Sequence, residues 1–384
     1  MQYRKFGKTG FEVSALGMGC MRLPRVTHSD GSVSVDRDKA IEIIRHAVDS
    51  GVNYFDSAFT YHRSKSENVL GEALSGGYRD RVKIATKLHI RSVKETADIR
   101  RSIETTLERL KTDHIDFYLM HGLSGESWDN YMRMGFVEQY EQFRSEGMIG
   151  HIGFSFHGKL EGFKRIIGDY PWDMCMVQQN MLDMDRECTV GGIQLAADKG
   201  IAIVAMEPLR GGGLSGAPAP VKALYDAFPV KRSPVEWAFR HLIDLPGLSC
   251  VLSGMTTLDQ LKDNIGIISK PDMLPNCLSS DEKQLIKEAK AAYESIVTIP
   301  CTTCEYCVPC PNNVNIPRVF SLYNSAMMFG KFDHPRRSYW FARNAGQDAS
   351  HCTACGECEP KCPQNIKIIE QLKTAHKMLD GWDE

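Results

Sequence analysis

The feature that most constrains the fold is a regular alternation of short apolar runs with longer amphipathic segments. Segments such as DRDKAIEIIRHAVDSG and TADIRRSIETTLERLK carry apolar residues three and four positions apart, as amphipathic helices do. The runs between them have strand length, and eight such pairs predict a parallel (β/α)8 barrel with its helices outside. The eight runs are VSALGMGC, VNYFDSA, VKIATKL, IDFYLMHG, IGHIGFSFH, WDMCMVQQN, IAIVAMEPL and LSCVLSG.

An open, doubly wound parallel sheet is the alternative to a barrel. Such sheets usually carry a G-x-G-x-x-G turn that opens a helix, and the sequence contains no such turn. Before the first run, YRKFGKTGFEVS reads as two short strands around a Lys-Thr-Gly turn, which predicts a β-hairpin that plugs one end of the barrel. The α/β class, as a barrel with an N-terminal hairpin, is therefore the predicted fold.

The cysteines divide the chain into two parts. Thirteen are present, and eight of them crowd into residues 301–362. We therefore predict a barrel domain over residues 1–297 and a separate small domain over 298–384, with no internal repeat beyond the strand–helix period. The linker between them can reach either end of the barrel. The remaining five cysteines are scattered, as small buried apolar residues usually are: Cys20, Cys175, Cys188, Cys250 and Cys277.

Charge and hydropathy argue against two classes of partner. The 384 residues carry a formal net charge of −2, which gives no electrostatic reason to bind nucleic acid or an anionic membrane. No uncharged apolar run approaches the roughly 20 residues of a membrane span. The first residues lack the apolar core and cleavage site of a signal peptide, so we expect a cytoplasmic protein with reduced thiols.

The spacing of the eight clustered cysteines favours iron–sulfur clusters. CTACGECEPKCP matches C-x2-C-x2-C-x3-C-P, the run found in two-cluster ferredoxins, and CTTCEYCVPCP is one residue shorter before its fourth cysteine. Zinc ribbons use two C-x2-C pairs instead of triplets, so zinc or idle thiols are the weaker alternatives. The predicted ligands of two [4Fe–4S] clusters are Cys301, Cys304, Cys307, Cys310, Cys352, Cys355, Cys358 and Cys362.

Polar residues at successive strand ends predict a catalytic site in the barrel. The second run ends in Asp56, with Tyr61 in the loop that follows it, the third in Lys87 and the fourth in His121. Because active sites of such barrels lie at the carboxyl ends of the strands, these four side chains should converge. A nearby ammonium lowers the pKa of a tyrosine, which could then protonate an oxygen as hydride reaches its carbon. Taken singly, each residue also has an ordinary structural explanation, such as a helix cap, a surface charge or a buried imidazole.

These stretches resemble the aldo-keto reductases. NYFDSAFTY, ATK and DFYLMHG are similar to the catalytic segments of that family, and the resemblance runs from residue 1 to about 270. It implies a (β/α)8 barrel that binds an extended nicotinamide dinucleotide and reduces a small carbonyl substrate. It also implies that Tyr61 is the general acid, that Lys87 and Asp56 tune it, and that His121 orients the carbonyl.

The same resemblance implies dinucleotide-binding residues. Ser155 and Gln178 match the residues that hold the carboxamide, but Phe156 replaces an asparagine, with His157 as a neighbouring substitute. Met206 stands where many members stack an aromatic ring. The segment SGMTTLDQLKDN resembles the loop that binds the adenosine phosphate, and Gly254, Thr256 and Gln260 stand where members selective for the 2′-phosphate often carry Lys or Arg. This weakens the case for NADP over NAD and leaves room for a different cofactor. The implied cofactor residues are Gly19, Cys20, Met21, Ser155, Gln178, Met206, Gly254, Thr256, Gln260 and Asn264.

The cysteine segment resembles two-cluster ferredoxins of the α-helical kind, since long helix-like stretches separate its two halves. This resemblance implies Cys301, Cys304, Cys307 and Cys362 for one cluster. Cys352, Cys355, Cys358 and Cys310 would hold the other. The basic, aromatic stretch HPRRSYWFAR is either a docking surface for an acidic electron carrier or, as we favour, an ordinary solvated helix face.

Several functions fit this arrangement. The first is a carbonyl reductase whose clusters pass electrons, with a ferredoxin or flavodoxin as partner. The alternatives are a plain carbonyl reductase with structural or redox-sensing clusters, and a flavin- or ferredoxin-linked oxidoreductase on the same barrel. A nucleotide sensor is a further class, but the four polar residues at the strand ends argue against it.

Overall fold

The computed structural model describes residues 1–29 and 32–382. Eight parallel strands close into a barrel in the order β10-β11-β12-β3-β6-β7-β8-β9, which confirms the predicted fold. All eight apolar runs form barrel strands. The described strands are β1 Tyr3–Lys5, β2 Glu12–Ser14, β3 Leu16–Gly19, β4 Arg25–Thr27, β5 Val33–Val35, β6 Tyr54–Asp56, β7 Lys83–Leu88, β8 Ile115–Leu123, β9 Ile149–Phe156, β10 Met174–Gln178, β11 Ala202–Met206 and β12 Cys250–Ser253.

The helices follow from the apolar spacing seen in the sequence. In α1 the buried residues recur at helical intervals from Ala40 to Val48, and Asp36 caps the helix by accepting a hydrogen bond from Lys39 N. The helices are α1 Arg37–Asp49, α2 Tyr61–Ser64, α3 Ser66–Ala73, α4 Thr96–Leu110, α5 Trp128–Arg133, α6 Phe136–Ser145, α7 Leu160–Asp169, α8 Thr189–Asp198, α9 Ala219–Ala227, α10 Pro234–Ile243, α11 Leu258–Ile268, α12 Ser280–Glu294, α13 Ile316–Phe329, α14 Asp333–Asn344 and α15 Ile368–Leu379.

The barrel has an inner and an outer core, because successive strand residues point to opposite faces. Met174 and Met176 of β10 belong to the inner cluster. Cys175 and Val177 of the same strand pack in the outer cluster, which the helices share. The inner cluster fills the barrel with side chains, so the strands enclose a packed core and the polar groups are displaced to the strand ends.

The N-terminal hairpin plugs the barrel, as predicted. Strands β1 and β2 pair antiparallel, with Tyr3 opposite Ser14. Between them, fully buried Phe6 lies 5.0 Å from Phe117 and 5.5 Å from Tyr54, measured between ring centroids, and joins the inner cluster. Tyr54 is the first residue of β6, so the hairpin closes the amino-terminal end of the strands and leaves the carboxyl-terminal end for the site.

Contacts group the chain into two compact units. The first comprises Met1–Arg210 and Val235–Lys283, and the second comprises Gly211–Pro234 with the chain from Gln284 onward. The contacts thus place residues 211–234 and 284–297 with the second unit, whereas the domain boundary at 297/298 remains a prediction from the cysteine pattern. The second unit is helical over its described residues, and its core is formed mainly by α13, α14 and α15.

Helices long and apolar enough to cross a bilayer are absent from the described part of the chain.

Candidate active site and cluster-binding site

Asp56, Tyr61, Lys87 and His121 converge at the carboxyl ends of β6, β7 and β8. Asp56 is the last residue of β6, and it pairs with Ala85 of the neighbouring β7. Lys87 lies near the end of β7, and His121 near the end of β8. Tyr61 begins the short turn α2, five residues after Asp56. The structure therefore brings together all four side chains that were predicted from their positions at, or just after, the carboxyl ends of the strands.

The ammonium of Lys87 is the centre of this group. Its Nζ donates to Asp56 Oδ1 at 2.5 Å, to the Ser57 carbonyl at 2.7 Å and to the Tyr61 hydroxyl at 3.5 Å. Lys87 and Asp56 are almost completely buried, with side-chain exposures of 1% and 3%. Burial acts to lower the pKa of Lys87, but the Asp56 carboxylate and Tyr61 outweigh it and raise that pKa. Lys87 is therefore a fixed cation beside the Tyr61 hydroxyl.

The pKa of Tyr61 differs in direction from the expectation based on the sequence. Lys87 does act to lower it, but burial of the phenol is the larger effect and raises the pKa above its usual value of 10.0. Burial also shifts His121, whose pKa falls well below 6.5, and the charge on Lys87 adds to that shift. At neutral pH the site therefore holds a protonated phenol next to a neutral imidazole. Their ring centroids are 5.8 Å apart.

The backbone after Tyr61 is unusual. His62, Arg63 and Ser64 have φ values of 51°, 51° and 66°, three consecutive residues in the left-handed region that glycine favours. Such conformations cost of order 1–3 kcal/mol each and persist where the surrounding structure imposes them, often at functional sites. The sequence gives no sign of this turn, because none of its three residues is glycine.

A buried ionic network behind the site holds the Tyr61 loop. Glu67, at 1% exposure, accepts from Thr86 Oγ1 at 2.7 Å, from Thr106 Oγ1 at 3.3 Å and from Arg109 Nη1 at 3.1 Å. The same Arg109 nitrogen donates to the Phe59 carbonyl at 3.2 Å. Thr86 directly precedes Lys87, and Phe59 lies two residues before Tyr61, so the network connects both sides of the site.

We expect Glu67→Ala to destabilise the protein by about 3 kcal/mol, because it leaves the partly buried Arg109 charge and two buried hydroxyls without their carboxylate partner. The free energy of unfolding is measured by denaturant titration. Asp129→Ala is the control, since Asp129 pairs with Arg165 on the surface, where solvent screens the pair and its contribution to stability is small. Equal effects of the two variants would contradict the proposed importance of the Glu67 network.

The second unit arranges its eight clustered thiols around two cavities. One is lined by Cys301, Cys304, Cys307 and Cys362, together with Ile316, Phe320 and Ile368. The other is lined by Cys310, Cys352, Cys355 and Cys358, with Cys307 also at its edge. This is the division that the ferredoxin resemblance implies, with the fourth cysteine of each motif reaching the cavity of the other motif. Among the described residues no three side chains converge as ligands of a single metal ion.

Both cysteine loops have positive φ values at matching positions. Thr303 and Glu305 in the first loop have positive φ, as do Ala354 and Gly356 at the matching positions of the second. Left-handed turns of this kind direct backbone N–H groups into one concavity, which suits anionic groups such as iron–sulfur clusters. Positive φ also recurs three residues after the fourth cysteine of each motif, and each motif leads into a helix, α13 or α15. The two cysteine motifs therefore form a structural repeat, whereas the sequence predicted no repeat beyond the strand–helix period of the barrel.

The basic, aromatic helix α14 has several of its charges engaged within its own unit. Arg336 donates to the Met378 carbonyl at 3.1 Å and lies over the Phe332 ring. Arg343 donates to Asp380 at 2.8 Å. These contacts favour the solvated-face interpretation of α14 over a docking surface.

Two family models of known proteins match different parts of the chain. The family model for the aldo/keto reductase family matches residues 15–224. This chain belongs to the aldo/keto reductase family. The model for a 4Fe-4S dicluster domain matches residues 300–367, which contain all eight clustered cysteines. The chain is therefore an aldo/keto reductase-like oxidoreductase with a ferredoxin-like 4Fe-4S domain.

Individual relatives agree with this assignment. The chain is 26% identical over 296 residues to the uncharacterized oxidoreductase YqkF of Bacillus subtilis, covering 69% of this chain and 90% of that protein. It is 30% identical over 242 residues to YrpG of the same organism, an uncharacterized oxidoreductase, covering 56% of this chain and 69% of the relative. The holo-form structure of aldo-keto reductase AKR11C1 from Bacillus halodurans matches with a TM-score of 0.63 and 26% identity, over 75% of this chain and 96% of that one.

Most of the residues predicted to bind the dinucleotide lie at or just past strand ends of this aldo/keto reductase barrel, whereas Gln260 and Asn264 lie in α11. Gly19 ends β3, followed by buried Cys20 and by Met21, which is 49% exposed. Ser155 Oγ accepts from Gly122 N at 2.8 Å, and Gln178 donates to Asp183 at 3.2 Å. Met206 ends β11 and packs against the inner core. None of these contacts prevents a role in cofactor binding, which remains a prediction.

The predicted phosphate loop is tied together by its own side chains. Gln260 accepts from the backbone N–H groups of Thr256 and Thr257, and Thr257 Oγ1 accepts from Gln260 N, which makes a capping box for α11. Asn264 donates to Ser253 Oγ at 3.2 Å. These bonds account for Gln260 and Asn264 as structural residues, so their assignment to a cofactor rests on the family resemblance alone.

Two charged residues in this region, Arg22 and Glu207, were not predicted from the sequence. The stem of Arg22 covers Gly254, where a β-carbon would meet the Arg22 Cβ at 3.1 Å, and Thr256 Oγ1 donates to the Arg22 carbonyl. Burial lowers the pKa of Arg22, and Glu207 attracts its charge. Both could have been found from the sequence, because Arg22 directly follows Met21 and Glu207 directly follows Met206 at the ends of their strands.

His157, the suggested substitute for the missing asparagine, has a partner of its own. Its Nδ1 lies 3.3 Å from Glu187 Oε1. Burial acts to lower the pKa of His157, but the Glu187 pair outweighs it and raises that pKa. His157 can therefore act as a cationic donor at this end of the barrel.

Proposed function

We propose that this protein reduces the carbonyl group of a small molecule with a nicotinamide dinucleotide. We also propose that its second unit holds two [4Fe–4S] clusters that transfer electrons. The group formed by buried Asp56 and Lys87 with half-buried Tyr61 and His121 carries the first proposal. The two thiol-lined cavities with matching loop conformations support the second.

The residues of the site fit the chemistry of carbonyl reduction. A bound nicotinamide dinucleotide would supply hydride to the carbonyl carbon. Tyr61 and His121 can both donate a hydrogen bond to the carbonyl oxygen, and Tyr61 gives up its proton to that oxygen as negative charge develops. The Lys87 ammonium then stabilises the phenolate that remains, and Asp56 keeps Lys87 in position.

Dinucleotide binding is assigned to the strand-end residues on the other side of the barrel mouth. Ser155 and Gln178 would hold the carboxamide, with His157 as a further donor. Met206 would pack on the nicotinamide ring. Residues 254–264 would hold the adenosine end, and Arg22 beside Gly254 is a cation placed to pair with a phosphate. Neither NAD nor NADP is favoured, because Glu207 opposes phosphate charge while Arg22 attracts it.

The clusters are proposed as electron carriers with a cytoplasmic ferredoxin or flavodoxin as partner. Hydride transfer moves two electrons at once, whereas each cluster moves one, so electrons from the clusters would reach a carbonyl through a flavin or through a substrate that tolerates a radical intermediate. The proposed ligand sets are those of the two cavities. Cys304 and Cys355 are the exposed thiols of their respective sets, which places one edge of each site at the surface.

A structural role for the clusters is the second candidate, and one observation favours it. Ile316, Phe320, Ile368 and Leu372 line the cavities and also belong to the core of the second unit. Loss of a cluster would therefore open that core to water. Under this alternative the protein is a plain carbonyl reductase whose second unit needs its clusters to stay folded.

Turnover of simple aldehydes as a function of pH tests the barrel proposal. Tyr61 must be protonated, and its pKa is raised above 10.0, while His121 must be neutral, and its pKa is lowered well below 6.5. We therefore expect kcat/KM of anaerobically purified protein, with NADH or NADPH, to be constant from about pH 6.5 to pH 9. No turnover with either dinucleotide would refute the proposal, and a midpoint near pH 7–8 would refute the assigned protonation states.

A further inference from the structure

A second histidine lies next to His121 at the mouth of the barrel. The ring centroids of His89 and His121 are 5.6 Å apart, with an angle of 69° between the rings. The Cδ2–Nε2 edge of His89 faces Gly122, where a β-carbon would meet both atoms at 3.7 Å. Gly122 has a φ of 69°, so the backbone at this point favours glycine and leaves the edge of His89 uncovered.

The protein fixes the protonated nitrogen of His89. Arg91 N donates to His89 Nδ1 at 2.9 Å, so Nδ1 is an acceptor and the proton of the neutral ring resides on Nε2. Burial, assisted by the charge on Arg91, lowers the pKa of His89 and favours this neutral form. His89 therefore presents an uncharged N–H donor beside His121.

A buried tyrosine fixes the relative positions of the two histidines. Tyr131 donates to the His121 carbonyl at 2.6 Å and accepts from Ile90 N at 3.0 Å, so one hydroxyl joins the segments that carry His121 and His89. Tyr131 is fully buried, and burial raises its pKa to about 12, so the hydroxyl keeps its proton. The two hydrogen bonds of Tyr131 therefore fix the separation of the His89 and His121 rings at the barrel mouth.

We propose that His89 is a specificity-determining residue that binds an oxygen on the carbon next to the substrate carbonyl. The proposed substrates are uncharged 2-hydroxy and 2-oxo carbonyl compounds. This inference rests on the proposed function, because it places the carbonyl oxygen at Tyr61 and His121. Oxygens on neighbouring carbons lie about one hydrogen-bond length apart, roughly 2.8 Å, and adjacent imidazole donors can reach both. Neutral donors suit neutral oxygens, so carboxylates such as 2-oxo acids should be poorer substrates.

Glycolaldehyde and propanal form a matched pair for the test, because a hydroxyl replaces a methyl group. We expect wild-type protein to prefer glycolaldehyde by about 10-fold in kcat/KM, the effect of one hydrogen bond to an otherwise unpaired donor. His89→Phe should abolish this preference, so that kcat/KM becomes about equal for the two aldehydes, while propanal turnover changes little. His89→Gln keeps an N–H donor and should retain part of the preference, and it also serves if the Phe variant does not fold.

The outcomes separate this inference from the function on which it rests. Propanal turnover with an unchanged preference in His89→Phe, or a faster reaction with pyruvate than with glycolaldehyde, overturns the role of His89 alone. Equal losses for both aldehydes would show a merely structural role. Absence of turnover for either aldehyde in wild-type protein overturns the proposed function as well. Independently of activity, long-range ¹H–¹⁵N spectra at pH 7 should show His89 protonated at Nε2, and protonation at Nδ1 contradicts the inference.

Discussion

Tyr61→Phe should lower kcat for carbonyl reduction by about 10²–10⁴-fold, the usual contribution of a general acid. The substitution removes the hydroxyl that lies 3.5 Å from Lys87 Nζ and leaves the ring in place. Dinucleotide affinity, measured by fluorescence titration, should stay within about twofold, since none of the residues proposed for the adenosine end is altered. A loss of only a few-fold in kcat would show that another group donates the proton.

Tyr54→Phe is the matched control for this experiment. Tyr54 is fully buried two residues before Asp56, and its hydroxyl donates a weak hydrogen bond to Met174 Sδ at 3.8 Å. Removing this hydroxyl should leave kcat within a few-fold of wild type. A large loss in both variants would point to disturbance of the barrel core instead of loss of an acid.

The barrel and its four central residues could be predicted because both follow from local rules. Strand length, apolar content and alternation with amphipathic helices are properties of short windows, and each of the eight runs formed a barrel strand. Asp56, Lys87 and His121 occupy strand ends, and parallel strands bring such ends together whatever the intervening sequence is. Tyr61 lies in the loop that follows β6, and loops after barrel strands lie at that same end.

What the sequence could not provide depends on burial and on distant contacts. The direction of the pKa shift of Tyr61 was mispredicted, since the effect of Lys87 is visible from chain order but the depth of burial is not. The partners of Glu67 come from β7 and α4, and the partner of His157 comes from a loop thirty residues away. No window of sequence contains these pairs.

The cysteine motifs illustrate the same limit. Spacing identifies the triplets as ligands of one site each, because three residues at x2 intervals can wrap a common centre. The placement of Cys310 and Cys362 depends on how two halves of the unit pack, and spacing alone leaves it open. The cavities now place Cys362 with the first triplet and Cys310 with the second.

Cys355→Ala should reduce the iron content of anaerobically prepared protein from about eight to about four atoms per chain, because it removes a ligand of one of two [4Fe–4S] clusters. Iron and acid-labile sulfide are measured chemically, and the remaining cluster by electron paramagnetic resonance after reduction. Cys277→Ala is the control, since Cys277 is a half-buried thiol outside the cysteine motifs. Stoichiometric zinc in place of iron in wild-type protein would contradict the cluster proposal.

The crossed ligand sets make a sharper version of this experiment. Cys310→Ala should leave the same cluster spectrum as Cys355→Ala, and Cys362→Ala the same spectrum as Cys304→Ala, because each pair lines one cavity. If the fourth cysteine of each motif served its own triplet, the pairs would exchange: Cys362→Ala would match Cys355→Ala, and Cys310→Ala would match Cys304→Ala. The partition is therefore tested by which variants share a spectrum.

Activity of the same variants distinguishes the two roles of the clusters. If the clusters transfer electrons, Cys355→Ala should lose reduction driven by a ferredoxin or a viologen dye, while the barrel still binds dinucleotide. If they are structural, the second unit should lose stability, because Leu372 and Ile369 at the cavity wall become exposed to water, while dinucleotide-driven turnover of an aldehyde persists. Full activity with every donor and unchanged thermal unfolding would exclude both roles for that cluster.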